Sequence, residues 1–295
     1  MTKMHTQDYS LVSICSYVGI SRQAYYKRIS RQDTKEQLYQ KVEQIVITNR
    51  EVKSRAGLRS IYYKEDLFTL LGVNQFEQQM SAIGYALKPY RSRFKTTDSR
   101  GHHYKFNNLI SGLDLQRENH VIVGDITYYQ NTGKLYYIFQ FQDYYTMEIK
   151  GLLGSLTMEG INTEKCLRQV FDYNRQRKYN YKLILHTDRG SQYRSHKFQS
   201  MLRKAQIRPS HAGNCFENGF SERTNGIVKN EYLIDYDIRS VSQLNRVLKR
   251  IKHQINDVWP SKTLGYKTPK QFMQWIREKK KTDRPIRTVK IVKQI

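Results

Sequence analysis

Three strand-like runs in immediate succession, followed by regular alternation of helix and strand, limit most strongly what this chain can fold into. VIVGDITYYQ, KLYYIFQFQDYYT and EIKGLLGSL are rich in β-branched and aromatic residues, and the turn at Asn131 to Gly133 marks a hairpin between the first two. A helical stretch follows (TEKCLRQVFDYNRQ), then a strand (YKLILHTD), a helix (SHKFQSMLRKA), a short strand near IRPS, and a helix from about Glu217 to Leu233. An antiparallel meander continued by helix–strand units predicts an α/β fold, a mixed sheet covered by helices.

Acidic residues stand at telling places in that layout. Asp125 lies inside the first strand among Val121, Val123 and Ile126, and Asp188 ends the fourth strand, where α/β sheets place ligands. Glu222 falls on a polar helix face. Each has an ordinary reading alone: an exposed strand residue, a turn or capping Asp before Arg189-Gly190, a solvated helix charge near Arg223 and Glu231. Together they read as a cluster, and clustered carboxylates are costly unless something positive meets them. Hard oxygen donors suit Mg²⁺, and two such ions serve an in-line displacement at phosphorus. The expectation is a polynucleotidyl transferase with Asp125, Asp188 and Glu222 as catalytic and metal-binding residues. Asn218, Asn225 and Lys229 stand at i−4, i+3 and i+7 from Glu222, so one helix face carries all four. That face either meets the phosphates of a DNA strand or is solvated. His186 reads as a core histidine, and Ser191 lacks a partnered base.

Charge agrees with a nucleic-acid partner. Fifty-one Lys and Arg stand against twenty-six Asp and Glu, a net charge of +25, with a pI near 9.9. Such an excess supplies the sequence-independent part of DNA affinity, though a merely soluble basic protein or one lying on anionic membrane shares it. Twenty-three Tyr add stacking capacity. Cys15, Cys166 and Cys215 are widely spaced, which excludes a disulfide framework or a zinc knuckle from this chain. No apolar run has membrane-spanning length and MTKMHTQDYS has no secretory core, so no membrane partner and a cytoplasmic location are expected.

Four regions follow. In 1–34, YSLVSICSYVGISRQAYYKRISR reads as two short helices around Gly19, with Ser21 as a cap and Arg22 and Gln23 opening the second; this is helix-turn-helix grammar or an ordinary helical hairpin. Region 35–107 is helical, with stops at Gly72 and Gly84, then a basic linker, KPYRSRFKTTDSRGHHYKFN. It reads as a second DNA-binding unit or as a dimerisation or packing module. Residues 108–275 hold the α/β core and a C-terminal helix, and 276–295 form a basic tail.

HTDRGSQY, GNCFENGFSERTNGIVKNEYL, GDITYY and TLGYKTPKQF resemble the catalytic half of insertion-sequence transposases of the IS-3 group, over roughly Gly57 to Phe272. That resemblance implies an RNase H-like core shared with retroviral integrases, dependence on Mg²⁺ or Mn²⁺, and a catalytic triad at Asp125, Asp188 and Glu222. It implies cleavage and joining of double-stranded DNA, element ends and target, by a homo-oligomer in a bacterial cytoplasm, with an upstream-frame partner protein. Three departures stand out. The segment between Asp188 and Glu222 is two residues short near Ser210 to Gly213, Gly124 replaces a more usual Thr or Ser, and Trp259-Pro260-Ser261 replaces Arg-Pro-His. They keep two rival classes open, a non-catalytic DNA-binding regulator and a nuclease that only hydrolyses.

Overall fold

The computed structural model describes residues 10–88, 108–176, 182–212 and 219–289. Asn218, Cys215 and most of the basic linker lie outside the described residues. The first helix among the described residues is α1 (Leu11–Val18), which starts under the Ser10 side chain and stops at Gly19, whose φ of 76° suits glycine. The Ser21 hydroxyl accepts from the Ala24 amide and starts α2 (Arg22–Val52). Two further helices, α3 (Leu58–Lys64) and α4 (Val73–Ala82), complete the N-terminal part. Gly84 (φ 96°) ends it as expected, whereas Gly72 caps the start of α4 rather than stopping a helix.

The expected break at 34/35 is absent. α2 is one helix of 31 residues, because the polar stretch around Arg31 to Gln37 is mostly Arg, Gln, Lys and Glu, which are good helix formers, and holds no Gly or Pro. Nor do α2–α4 stand apart as a separate module. Val42, Val46, Ile61, Phe76 and Met80 share one apolar cluster with Tyr136, Ile138 and Leu152 of the sheet. Lys53 pairs with Glu231 at 2.8 Å and lies 5.1 Å from the Trp259 ring centre, with Lys64 at 5.3 Å from the same ring. Trp259, one of the three departures, thus receives two cations of the N-terminal part by cation–π contact.

The core begins with β1 (Asp114–Leu115), then β2 (Val121–Asn131), β3 (Lys134–Asp143) and β4 (Ile149–Ser155). Thr132 and Gly133, both with positive φ, close the β2–β3 hairpin as a primed turn matching the strand twist. After α5 (Gly160–Gln176) come β5 (Ile184–Thr187), α6 (Ser191–Arg194), α7 (His196–Lys204) and β6 (Arg208–His211). The main sheet runs β4-β3-β2-β5-β6, with β2–β3 and β3–β4 antiparallel and β2–β5 and β5–β6 parallel. This is the RNase H-like arrangement, a mixed sheet with its first long strand in the middle. Phe139, Phe141, Leu167, Val170, Phe198 and Leu202 fill the layer toward α5 and α7. The opposite face carries α8 (Gly219–Ile227), α9 (Val241–His253) and α10 (Pro269–Glu278).

The tail corrects an expectation too. Arg287–Thr288 form β7, paired antiparallel with β1. Arg277 pairs with Glu118 at 3.0 Å and the Arg287 guanidinium donates to the Tyr145 carbonyl at 2.5 Å. These two cations are used inside the fold, so the expected tail is part of the fold at least as far as β7. Among the described residues no helix is long and apolar enough to cross a membrane.

Candidate active site

Register explains how the two aspartates meet. β2 pairs with β5 as Val121↔Ile184 through Gly124↔Thr187, so the next step sets Asp188 beside Asp125 on the face that α8 covers. Asp125 is buried in mid-strand; Asp188 follows β5, where the Gly190 amide donates to its Oδ1 at 3.0 Å and fixes the turn. The Arg189 guanidinium donates to the Ala212 carbonyl at 3.1 Å and ties that turn to the end of β6. The Asp125 carboxyl is pushed up to about 7, chiefly by burial and then by facing Asp188, with a further contribution from Glu222. Asp188 is also raised, by lost hydration, although part of its surface meets solvent. Below them the ring of Tyr193 is fully enclosed, its hydroxyl held well above its ordinary range by burial and then by the two aspartates.

Glu222 occupies the first turn of α8, where the helix dipole favours a negative charge, and it faces outward. The inner face of the helix is Ser221, Thr224 and Asn225. The Thr224 hydroxyl donates to Gln142 Oε1 of β3 at 2.7 Å, and Asn225 Nδ2 donates to Asp125 Oδ2 at 2.6 Å. After Ile227 the helix loosens into a π-helical turn (Val228–Tyr232), a feature often found at functional sites. Within it the Lys229 ammonium donates to Thr127 Oγ1 at 2.8 Å and lies 5.3 Å from the centre of the Tyr128 ring. Burial lowers its pKa, while the nearby Asp125 charge opposes that.

The predicted residues therefore fare differently. Asp125, Asp188 and Glu222 come from three elements to one place, and Lys229 reaches the same place. Asn225, expected to meet DNA, is instead buried against Asp125 and has no surface to offer a phosphate. Periodicity aligned it with Glu222 but could not say which edge of that face turns toward the sheet. Arg22 and Gln23 are exposed at the start of α2, remote in sequence from the cluster. His186 is a core histidine, its Nδ1 2.9 Å from Ser210 Oγ. Gln140 and Gln142 were missed. Their signal was the alternation in IFQFQD, which sets two amides on the strand face opposite Phe139 and Phe141.

The donor set, Asp125 facing Asp188 with Glu222 near enough to act on Asp125 and one lysine beside it, has the chemistry of a hard-cation site. Among the described residues no three His, Cys, Asp or Glu side chains are gathered at the spacing of a finished metal cage. What the site has instead is a buried carboxyl facing another, with a measurable consequence. The folded protein holds the Asp125 proton far more tightly than the unfolded chain does, since the pKa rises from 3.8 to about 7. The stability so contributed is complete below the lower value and is lost as pH rises through the upper one. The Tm of metal-free protein is expected to fall across that interval, and Asp125→Asn to flatten the fall. Parallel pH profiles for the two proteins would refute the assignment.

Two family models, both described as Integrase core domain, match residues 116–214 and 203–269. The transposase of insertion sequence element IS904 from Lactococcus lactis is 26% identical over 254 residues, covering 84% of this chain and 98% of that one. The chain belongs to the insertion-sequence transposases with an integrase-type core. The insertion element IS600 31 kDa protein of Shigella sonnei is 24% identical over 246 residues, 80% of this transposase and 88% of the relative. Among solved structures, the HTLV-2 integrase catalytic core domain in complex with magnesium aligns with a TM-score of 0.43 at 22% identity, covering 57% of this chain and 99% of that one. The transposase is a polynucleotidyl transferase acting in DNA transposition, as the motif resemblance implied.

Proposed function

We propose that the transposase cuts DNA at the ends of its element and joins those ends to target DNA at one site made by Asp125, Asp188 and Glu222. The observation that carries this reading is geometric: the β2–β5 register sets Asp188 beside the buried Asp125, under the helix that carries Glu222, in a chain of net charge +25. Asp125, Asp188 and Glu222 would hold the divalent cations, Mg²⁺ or Mn²⁺. When bound, such ions activate the attacking oxygen and stabilise the leaving one. In the first step water forms a P–O bond as the bond to the 3′ oxygen breaks, leaving a 3′-OH. That hydroxyl then attacks a target phosphodiester, and the displaced strand leaves with its own 3′-OH.

The protein's share is positioning and neutralisation. Lys229, anchored on Thr127, supplies a cation beside Asp125 that approaches a phosphate once the strand is seated. Exposed Arg22 and Gln23 at the start of α2 fit a groove-reading role for the α1–α2 hairpin. Residues 108–275 would then be the catalytic unit, acting as a homo-oligomer on DNA together with an upstream-frame partner. Joining decides between this reading and its rivals. Labelled element ends incubated with supercoiled target and Mg²⁺ should give strand-transfer products. Cleaved ends without joined product would make the protein a nuclease, and bound but uncut ends a regulator.

A further inference from the structure

Between β3 and α8 lies a seam of buried amides that does not satisfy itself. Gln140 is 1% exposed, and neither its Oε1 nor its Nε2 has a hydrogen-bond partner among the described residues. Asn225 is 5% exposed; its Nδ2 donates to Asp125 Oδ2 at 2.6 Å, while its Oδ1 is unpartnered. The ladder pairs Asp125 directly with Gln140, so the two side chains stand together on the face that α8 covers, with Cβ atoms about 5 Å apart. Buried polar groups in folded proteins are nearly always paired, and three unpaired amide atoms beside an active-site carboxylate call for a partner that arrives later.

The three atoms complement one another. If the Asn225 amide turns from Asp125 to Gln140, Asn225 Nδ2 donates to Gln140 Oε1 and Gln140 Nε2 donates to Asn225 Oδ1. All three become satisfied, and Asp125 Oδ2 is released. Without a cation that release leaves the oxygen facing Asp188 and Glu222, the two charges that already raise Asp125. With a cation it supplies a ligand. We propose that Gln140 is a positioning residue of the active site: it takes over the Asn225 amide when a divalent cation claims Asp125. Because Asn225 lies one helical turn beyond Glu222, the reciprocal amide pair also holds that turn of α8 against β3 while the ion is bound. This inference rests on the metal-site reading above.

The test uses Mg²⁺ alone, in the absence of DNA, read by calorimetric titration and by the Mg²⁺-induced rise in Tm. Gln140→Met keeps an unbranched side chain of similar length and removes the amide. Metal-free Gln140→Met should melt at or above the wild-type temperature, since two orphaned buried atoms are gone. Its Mg²⁺ dissociation constant should rise about tenfold, the worth of one lost hydrogen bond. In an Asn225→Val background the same substitution should change Mg²⁺ affinity little, because no amide is left to receive. Equal Mg²⁺ affinity in wild type and Gln140→Met overturns the proposal, as does an equal loss in both backgrounds. Asp125→Asn separates the two readings. If it also binds Mg²⁺ as wild type does, the metal site itself is wrong; if it loses Mg²⁺ while Gln140→Met keeps it, only the role of Gln140 falls.

Discussion

Asp125→Asn, Asp188→Asn and Glu222→Gln should each lower Mg²⁺-dependent strand cleavage at least about a thousandfold, the several kcal/mol that metal-borne charge stabilisation supplies. DNA affinity should stay near the wild-type value, because it is carried by the basic surface. The substitutions are nearly isosteric, so the loss is one of charge rather than of shape. They should differ in stability in an ordered way. Asp125→Asn removes a buried carboxyl held up to about 7 and should raise the Tm of metal-free protein at neutral pH. Glu222→Gln, on the outer face of α8, should leave it almost unchanged. A protein more stable than wild type yet inactive cannot owe its inactivity to unfolding. Near-wild-type cleavage by any one of the three would remove that residue from the site.

The second large effect concerns Gly124, where the sequence departs from the more usual Thr or Ser. In the ladder Gly124 pairs with Phe141, on the face covered by α5 and α7. A Cβ added at Gly124 would lie 2.3 Å from Phe141 Cε1 and 3.2 Å from Thr187 Cγ2. The ring occupies the space a side chain would need, so glycine and phenylalanine at these positions form one packing solution. Gly124→Thr alone should cost about 3 kcal/mol through overpacking and should disturb Asp125, its neighbour in the strand. Phe141→Val alone should also destabilise, by opening a void over the glycine. The double substitution should recover much of either loss, a non-additivity measurable by denaturant titration. Additive losses, or a Gly124→Thr protein as stable as wild type, would show that the ring does not hold this place.

Much of the catalytic layer was legible because its signals are local. The NTG turn fixes the hairpin register, alternation sets Asp125 on one face, and a strand ending in HTD puts Asp188 just past the C-terminal end of β5. What escaped depends on which surfaces meet. Helical spacing grouped Asn225 with Glu222, but only the packing of α8 on β3 turns Asn225 inward and leaves Glu222 outside. The amides of Gln140 and Gln142 stood in plain view, yet without the helix above them nothing in the sequence sets them apart from solvated strand residues. The break at 34/35 divided two helical stretches, although nothing between them, neither Gly nor Pro, stops a helix. Arg287 read as tail charge because its partner, the Tyr145 carbonyl, lies far away in sequence.

The continuity of α2 has a mechanical consequence. Its second half is rooted in the apolar cluster under the sheet through Val42 and Val46, while residues 22–37 are exposed apart from Tyr25. A helix of 31 residues is about 46 Å long at 1.5 Å per residue. The α1–α2 hairpin is thus mounted on a stiff arm that is rooted in the same apolar cluster as the sheet carrying Asp125. Whatever the tip grips is held at a set distance and angle from that sheet, as on a ruler. Cutting position would then follow arm length, and two consecutive Gly placed in the solvated half would blur where the cut falls before they weakened the grip.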